Sequence, residues 1–221
     1  MLLQIAQAIP SDLLAQCLSL AKEGATFVDG RDTAGWHAKS RKHNLQARPS
    51  PAVDKLYKQL EKALLQHELV AAAARPKNIV RMQLSRYDKA MFYGSHVDDA
   101  IMQGQRTDLS FTLFLNAPEQ YEGGALVIDE VSGERAFRMD AGAMLLYPST
   151  TLHRVEEVTS GERLVIVGWI RSYVANAEER ELLFDLERVI AMHRQQQSTN
   201  NPALDLLLKT RSNLLRRWAQ D

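Results

Sequence analysis

Two residues near the middle of the chain, His96 and Asp98, are the clearest candidates for chemistry. A single residue separates them, so on an extended segment both side chains leave the same face of the backbone. One imidazole and one carboxylate directed at a common point supply two members of a facial triad of two histidines and one carboxylate. Such a triad leaves the other coordination positions of Fe(II) open for a cosubstrate and for oxygen. The third ligand must come from elsewhere in the chain.

His153 is the candidate for that third ligand. It follows a strand-like apolar run at 143–147 and a Pro-Ser-Thr-Thr break at 148–151, a pattern that predicts a loop re-entering a sheet. Arg163 lies ten residues beyond His153 and opens another apolar run. A guanidinium at that place can hold a carboxylate bidentately, which a lysine ammonium cannot do. Together these residues indicate an iron site with a dicarboxylic cosubstrate.

Each of these residues also has an ordinary structural interpretation. A histidine taken alone is more often a surface or core residue than a ligand, and Arg163 can be a surface arginine at a strand end. The combined spacing favours the metal site. Imidazole and carboxylate suit Fe(II), whereas structural zinc usually recruits thiolates, and Cys17 is the only cysteine. The remaining histidines lack this context and are interpreted as structural: His37, His43, His67 and His193.

The composition is that of an ordinary globular protein. The 221 residues are 45% hydrophobic and 24% charged, and the formal net charge is zero, so no global charge favours nucleic acid or an anionic membrane as a partner. A single cysteine excludes a disulfide within the chain and fits a reducing compartment. The first residues do not resemble a signal peptide, and no apolar run approaches transmembrane length. These features predict a cytoplasmic protein.

Periodicity predicts helices at both ends of the chain and strands between them. A helix is predicted to begin at Ser11 and end near Gly24, with Cys17 on its buried stripe, and a second helix to begin at Ser50-Pro51. From 76 to 174, short alternating strands separated by glycine turns predict a double-stranded β-helix, a jelly-roll-type barrel. The predicted fold class is therefore mainly β with flanking helices.

After Val174 the pattern becomes helical again. Apolar stripes at 182–190 and 204–218 predict two helices, joined by a polar linker at 195–202. Two helices with a short linker suggest an antiparallel hairpin. This C-terminal hairpin can cover the open face of the barrel or mediate a homo-oligomer, and its arginines are interpreted as a solvated face.

Alternation in the predicted strands separates an apolar face from a face of mixed polarity. In the strand at 79–87 the apolar face is formed by Val80, Met82 and Leu84. The opposite face carries Arg81, Gln83, Ser85 and Tyr87. A polar inner face suits a barrel with a water-accessible cavity, although an ordinary solvent face gives the same pattern. Four residues are candidates for substrate contact: Arg81, Gln83, Arg106 and Trp169.

A segment rich in Gly, Asp, Lys and Arg at 29–48 predicts a loop with at most a short strand. The part from Trp36 to Asn44 can form a flap over the site, because long functional loops often cover active sites. A solvated connector with Trp36 packed on its own domain is the equally favoured alternative.

The ordered set of motifs resembles the prolyl 4-hydroxylase-like Fe(II)/2-oxoglutarate dioxygenases, and among them the bacterial PKHD-type hydroxylases. The shared features are Tyr87 and Tyr93 ahead of His96-Val97-Asp98, the runs 106–116 and 123–126, Tyr147-Pro148-Ser149, His153-Arg154-Val155 and the closing 215–218. The resemblance covers most of the chain. It implies a dioxygenase domain at 1–174, with its barrel at about 76–174, and a C-terminal helical subdomain at 175–221.

The resemblance also implies roles for the site residues. His96, Asp98 and His153 would bind Fe(II), and Arg163 would pair with the distal carboxylate of 2-oxoglutarate. The family often has lysine there, and arginine keeps the charge. Tyr87 would donate a hydrogen bond to the cosubstrate, with Tyr93 similarly placed, although either can be a packing aromatic. The implied reaction uses O2 to hydroxylate a small-molecule or peptide substrate and releases succinate and CO2, with ascorbate as a reductant.

Two other classes of function fit parts of the sequence. A non-catalytic sensor could bind metal and 2-oxoglutarate through the same residues without coupling oxygen to succinate formation. A plain interaction module could use the C-terminal helices and keep the barrel as a scaffold. The presence of all three candidate metal ligands and of Arg163 in one chain argues against the interaction module.

Overall fold

The computed structural model describes residues 1–33, 39–195 and 201–221. The α-helices in these ranges, α1 to α5, are Ser11–Ser19, Pro51–Gln66, Glu68–Ala74, Ala177–Gln195 and Pro202–Trp218. The strands, β1 to β16 in chain order, are Leu3–Ile5, Phe27–Asp29, Lys42–His43, Leu45–Ala47, Pro76–Tyr87, Phe92–His96, Ile101–Met102, Gln105–Arg106, Leu109–Phe114, Tyr121–Gly123, Leu126–Glu130, Gly133–Phe137, Met144–Pro148, His153–Val155, Val158–Gly161 and Arg163–Ser172.

Two antiparallel sheets form the barrel. The larger sheet has seven strands in the order β1-β13-β9-β16-β5-β4-β2, and the smaller has five in the order β12-β11-β14-β6-β3. Buried residues from both sheets, among them Phe114, Val165, Leu126 and Ile128, form one apolar cluster between them. This arrangement of two facing sheets confirms the predicted fold class, a jelly-roll barrel with flanking helices.

Helices α1 to α3 cover the outer face of the larger sheet. Their apolar stripes pack with the outward side chains of β5, β9, β13 and β16 in a second, larger core cluster. Cys17 is fully buried there, and burial raises the pKa of its thiol to about 12, so the prediction that it is a core residue is confirmed. Ser50 caps α2 as predicted, since its Oγ accepts a hydrogen bond from the Val53 amide at 3.3 Å.

The predicted alternation of β5 is confirmed with one exception. Met82 and Leu84 join the outer core, whereas Arg81, Gln83, Ser85 and Tyr87 face the barrel interior. The exception is Val80, which β16 skips because Trp169 pairs with Arg81 and Ile170 pairs with Ile79. Val80 is therefore the extra residue of a β-bulge, and Ile79 occupies the core position that was predicted for Val80.

Other boundaries differ from the predicted ones. The first helix is regular only to Ser19 and ends in a π-helical turn at Leu20–Gly24. A short separate helix, Glu68–Ala74, was not predicted, because the break at His67 carries neither glycine nor proline. Two short strands, Lys42–His43 and Leu45–Ala47, lie in the segment 29–48 that was predicted to be a loop with at most a short strand, and a third, Phe27–Asp29, ends at its first residue.

The C-terminal helices α4 and α5 pack on each other as the predicted hairpin. The chain returns to the start of α4, where Val174 forms an antiparallel bridge with Ala219. Glu187 on α4 accepts ion pairs from Arg75, at the end of α3, at 3.0 Å and from Arg211 on α5 at 3.1 Å. The hairpin therefore docks against α3, and its described residues do not line the barrel cavity. Within the described ranges, no helix combines the length and the apolarity needed to cross a bilayer.

We expect the Leu113→Ala substitution to lower the free energy of unfolding by about 2–5 kcal/mol, the cost of a cavity in a packed core. Leu113 is fully buried and is paired with Met144 on one side and Ile166 on the other. Denaturant titration measures the change. Val131→Ala is the matched control, because Val131 is fully exposed in a turn, and it should change stability by less than about 0.5 kcal/mol. Equal effects of the two substitutions would contradict this description of the core.

Candidate metal centre and carboxylate site

Antiparallel pairing of β6 with β14 brings the predicted metal ligands together. His96, the last residue of β6, pairs directly with His153, the first residue of β14. Asp98 follows two residues after His96, and its carboxylate lies 3.9 Å from His96 Nε2 and 3.8 Å from His153 Nε2. One ligand atom from each of the three residues lies within 4.8 Å of the others, a spacing that can hold one metal ion. Two strand ends and one loop residue thus form the constellation that the sequence predicted.

Backbone carbonyls orient both imidazoles toward this common point. His96 Nδ1 lies 2.9 Å from the carbonyl oxygen of Gly94, and His153 Nδ1 lies 3.0 Å from that of Thr151. Because a carbonyl only accepts, each Nδ1 carries the proton and each Nε2 keeps its lone pair free for a metal. Burial, together with the neighbouring His153, lowers the pKa of His96 to about 4, so its imidazole is neutral at neutral pH.

Two serines hold the carboxylate of Asp98. Ser110 on β9 donates a hydrogen bond from its Oγ to Asp98 Oδ2 at 2.6 Å, and Ser149 Oγ lies 2.8 Å from Ser110 Oγ. Both serines are almost completely buried. The hydroxyl pair links the loop that carries Asp98 to the larger sheet, so the carboxylate is fixed by the barrel wall as well as by its own backbone.

Aromatic rings surround the two histidines. Tyr93 stacks on His96 with ring centroids 3.7 Å apart, and Tyr147 meets His153 edge-on at 5.2 Å. The ammonium of Lys42 lies 4.8 Å from the centroid of the Tyr93 ring. Burial raises the pKa of both tyrosines, so their phenols stay protonated. Tyr93 thus packs on His96, as one of the two predicted interpretations has it, and its hydrogen bond to the cosubstrate stays a prediction.

The triad opens on a cavity of about 480 Å³ between the two sheets. The polar face of β5 and the inner faces of β9 and β16 form one wall, and the residues of β3, β6 and β14 form the other. Trp169 and Gln83 line this cavity as predicted.

Arg163 lies at the inner end of the cavity and is the largest fully buried side chain in the described part of the structure, with 1% of its surface exposed. Its guanidinium is sandwiched by aromatic rings, 5.0 Å from the centroid of Tyr87 and 5.5 Å from that of Phe114. Its three nitrogens, Nε, Nη1 and Nη2, have no hydrogen-bond partner among the described residues. A buried cation in this condition is costly unless an anion satisfies it.

Tyr87 lies directly across the ladder from Arg163. Burial raises the pKa of its phenol against the opposing effects of Arg163 and of a side-chain hydrogen bond with Asn44, so Tyr87 remains a hydrogen-bond donor. Gly124 packs on the other side of the arginine, since a Cβ built there would lie 3.1 Å from Arg163 Cδ. The space beside the guanidinium is therefore bounded closely by Tyr87 and by backbone.

Not every predicted site residue reaches the cavity. Arg106 was a predicted substrate contact, and this prediction is wrong, because the side chain is held outside. Its Nε donates to Asp108 Oδ1 at 2.7 Å, and its other nitrogens contact the Ser172 carbonyl and the Gln220 side chain. Within the predicted flap, Trp36 and His37 lie outside the described residues. The described end of that segment does line the cavity, through Arg41, Lys42 and Asn44.

The other histidines behave as the structural residues that were predicted, as far as the structure describes them. His43 Nδ1 lies 3.2 Å from the Ala90 carbonyl oxygen, and His67 Nε2 lies 3.2 Å from that of Gln7. His193 lies on α4, far along the chain from the barrel strands. None of these three lines the cavity. Sequence reasoning missed the roles of Ser110 and Ser149, whose signal is only that polar residues occupy inward positions beside apolar strands.

We expect Ser110→Ala to weaken metal binding about 10- to 100-fold, because groups that orient a metal-binding carboxylate have effects of this size. The substitution leaves Asp98 in place and removes the 2.6 Å hydrogen bond to it, together with the hydrogen bond between Ser110 and Ser149. Titration of the purified protein with Fe(II) against a competing chelator, in the absence of oxygen, measures the affinity. Ser95→Ala is the control, because Ser95 lines the cavity but makes no hydrogen bond to the triad. An unchanged affinity in the Ser110 variant would show that the hydroxyl pair does not serve the metal centre.

Comparison with known proteins relates this sequence to two family models and to named relatives. The family model of the 2OG-Fe(II) oxygenase superfamily matches residues 82–171, and that of the PKHD-type hydroxylase C-terminal domain matches residues 178–220. A PKHD-type hydroxylase of Parvibaculum lavamentivorans is 50% identical over 195 residues, which cover 88% of each chain. One from Acaryochloris marina is 45% identical over 225 residues, which cover 100% of each chain.

Solved structures with low sequence identity share the fold. A prolyl-4-hydroxylase from Pseudomonas putida superposes with a TM-score of 0.54 at 23% identity, over 77% of this chain and 92% of that one. HygX from Streptomyces hygroscopicus, whose structure holds nickel and 2-oxoglutarate, gives a TM-score of 0.56 at 14% identity, over 77% and 82% of the two chains. At these identities the likeness concerns the jelly-roll core and its flanking elements.

Proposed function

The chain belongs to the PKHD-type hydroxylases of the 2OG-Fe(II) oxygenase superfamily, and from this premise we propose the reaction and the residues that carry it. The reaction is the hydroxylation of a C–H bond of an organic substrate with consumption of 2-oxoglutarate and O2. One oxygen atom enters the substrate as the new hydroxyl group, and the other enters succinate as CO2 leaves. His96, Asp98 and His153 bind Fe(II), and Arg163 binds 2-oxoglutarate.

The donor set supports the assignment of the metal. Two neutral imidazole nitrogens and one carboxylate face a common point, and the described residues add no thiolate to it. This set suits Fe(II) and leaves coordination positions open. When bound, the iron supplies the redox chemistry that couples decarboxylation of 2-oxoglutarate to oxidation of the substrate.

One observation carries the assignment of the cosubstrate: the guanidinium of Arg163 is buried and lacks any hydrogen-bond partner among the described residues. A dicarboxylate supplies the missing partner, because its distal carboxylate can accept two parallel N–H bonds from one guanidinium. Since Arg163 and the triad line the same cavity, a molecule held at Arg163 presents its keto acid end toward the metal ligands.

The remaining residues orient and shield the reactants. Tyr87, a protonated phenol beside Arg163, donates a second hydrogen bond to the distal carboxylate. Tyr93 and Tyr147 keep solvent away from the two imidazoles and fix their planes. The serine pair on Asp98 leaves its other carboxylate oxygen free for the metal. Ascorbate as a reductant and a cytoplasmic location stay predictions.

We expect anaerobic addition of Fe(II) and then 2-oxoglutarate to produce a visible charge-transfer band, and subsequent oxygen to produce succinate, even slowly and without substrate. The band reports a keto acid chelated at the iron, and succinate reports turnover. Absorbance spectra and quantified succinate are the two measurements. A band without succinate would favour the non-catalytic sensor, and no band at full iron occupancy would contradict both.

Two substitutions distinguish the role of the metal ligands from the role of Arg163. His153→Ala should lose Fe(II), because one of the three ligands is gone. Arg163→Met should keep Fe(II) but bind 2-oxoglutarate at least about 100-fold more weakly, since a desolvated charge pair contributes several kcal/mol. Chelator competition measures the iron, and the charge-transfer band measures the cosubstrate.

Thermal unfolding of Arg163→Met without cosubstrate supplies an independent control. Methionine fills a similar volume and removes an unpaired buried charge, so the free variant should be at least as stable as the parent. A structural arginine would give the opposite result, with lower stability and unchanged affinity for 2-oxoglutarate. That outcome would remove Arg163 from the proposed site.

A further inference from the structure

The central strands β5 and β16 present a ladder of paired side chains to the cavity. Starting at the inner end, Arg163 pairs with Tyr87, Val165 with Ser85, Val167 with Gln83, and Trp169 with Arg81. The two arginines stand at opposite ends of this ladder, with two pairs between them. Six residues of extended strand, about 20 Å, separate the two ends, so the two arginines do not hold the same carboxylate, and 2-oxoglutarate held at Arg163 leaves the Arg81 end of the ladder to a second molecule.

The outer pair borders the metal centre. Trp169 has Arg81 as its neighbour on β5 and Ser110 as its neighbour on β9. Ser110 is the residue that donates to Asp98, so the indole of Trp169 and the guanidinium of Arg81 lie beside the triad, on the side away from Arg163. A molecule that occupies this outer half reaches the metal centre without displacing one bound at Arg163.

Arg81 is held in position but not neutralised. Its Nη2 lies 3.4 Å from Gln83 Oε1, and Gln83 is itself fixed by donating to the Ala47 carbonyl at 3.1 Å. Among the described residues no carboxylate lies within 4.0 Å of the Arg81 guanidinium, whereas Arg106 has one, Asp108, and Arg154 has two, Glu134 and Glu156. A partly buried guanidinium with an oriented plane and only a weak amide contact is suited to an anionic ligand.

The other charged residues of the cavity wall around Arg81 are mostly positive, as Arg81 is. Arg41 and Lys42 line the outer part of the cavity with Arg81, and apart from the metal ligand Asp98 the described lining contributes one carboxylate, Asp99. A cleft lined with charges of one sign raises the local concentration of ligands of the opposite sign. Trp169 adds an aromatic surface next to these cations.

We propose that the substrate carries a carboxylate, which Arg81 binds, and an apolar portion next to it, which packs on Trp169. The inference rests on the proposed function, because it assigns the outer half of the same cavity to the molecule that is hydroxylated. A planar carboxylate matches the fork of one guanidinium. The backbone N–H groups that phosphate sites commonly use are engaged here in the strand ladder. Arg81 and Trp169 are therefore specificity-determining residues, and Arg163 serves the cosubstrate alone.

The test compares two probes that differ only in charge, phenylacetate and phenylacetamide. Each is titrated calorimetrically into the protein loaded with Fe(II) and saturating 2-oxoglutarate in the absence of oxygen. We expect phenylacetate to bind at least tenfold more tightly than the amide. Arg81→Gln should abolish this preference, and Arg81→Lys should restore part of it. Trp169→Ala should weaken both probes by a similar factor.

Arg171→Gln is the matched control, because Arg171 lies on β16, the strand paired with that of Arg81, but outside the cavity, and donates to the Asp221 carbonyl at 2.8 Å. It should keep the full preference for phenylacetate. The proposal is overturned if phenylacetate does not bind, if the amide binds equally well, or if the preference survives in Arg81→Gln.

Failure of the proposed function gives a different result. Binding of 2-oxoglutarate is measured in the same sample before either probe is added, so its absence identifies that failure directly. In that case the two probes are compared in the Arg163→Met variant. In this variant Arg81 is the arginine that remains among the four cavity-facing pairs of β5 and β16. A preference for phenylacetate there supports the anion site at Arg81, and its absence overturns it.

Discussion

A buried guanidinium that finds no hydrogen-bond partner among the described residues is the constraint on which this site depends. Contacts with the faces of Tyr87 and Phe114 offset part of the cost of burying Arg163, at roughly 0.5–2 kcal/mol for each cation–π pair, but in the described part of the chain no acceptor satisfies its N–H groups. The arginine keeps this position because β16 is paired on both sides, with β5 and with β9, and cannot shift to bring the side chain to solvent. The fold therefore maintains a cation whose partner has to arrive from outside.

The same antiparallel pairing builds the metal centre on the opposite sheet. His96 and His153 face each other because β6 and β14 pair in one register, and a shift by a single residue would turn one imidazole to the other face. Asp98 lies beyond the end of β6, where no ladder holds it, and the hydroxyl of Ser110 from the larger sheet takes over that role. Each sheet thus contributes one half of the site, and the core between them fixes the distance from one half to the other.

Much of this arrangement follows from local sequence, and the rest depends on distant pairing. Alternation in β5 and β16 predicted which residues face the cavity, because every second side chain of a strand shares a face, and it failed only at the bulge of Val80. The contribution of Lys42 and Asn44 to the cavity wall fits the predicted flap at 36–44, but the strand at Lys42–His43 was not predicted, since a strand of two residues carries no readable period. Arg106 was misassigned because its partners, Ser172 and Gln220, come from the far end of the chain. That His153 joins His96 and Asp98 was predicted from residue types and from its place after a strand-like run, whereas the strand register that brings His96 opposite His153 was not predicted.

Charge balance explains why two separate guanidiniums in one cavity are compatible. With iron and 2-oxoglutarate in place, the inner half carries three negative charges, two on the dicarboxylate and one on Asp98. It also carries three positive charges, two on the ferrous ion and one on Arg163, so the inner half becomes neutral. The outer half, with Arg81, then remains the positive part of the cavity. Because the inner half is neutral once the cosubstrate is bound, a carboxylate substrate is attracted to Arg81 in the outer half, beside the metal.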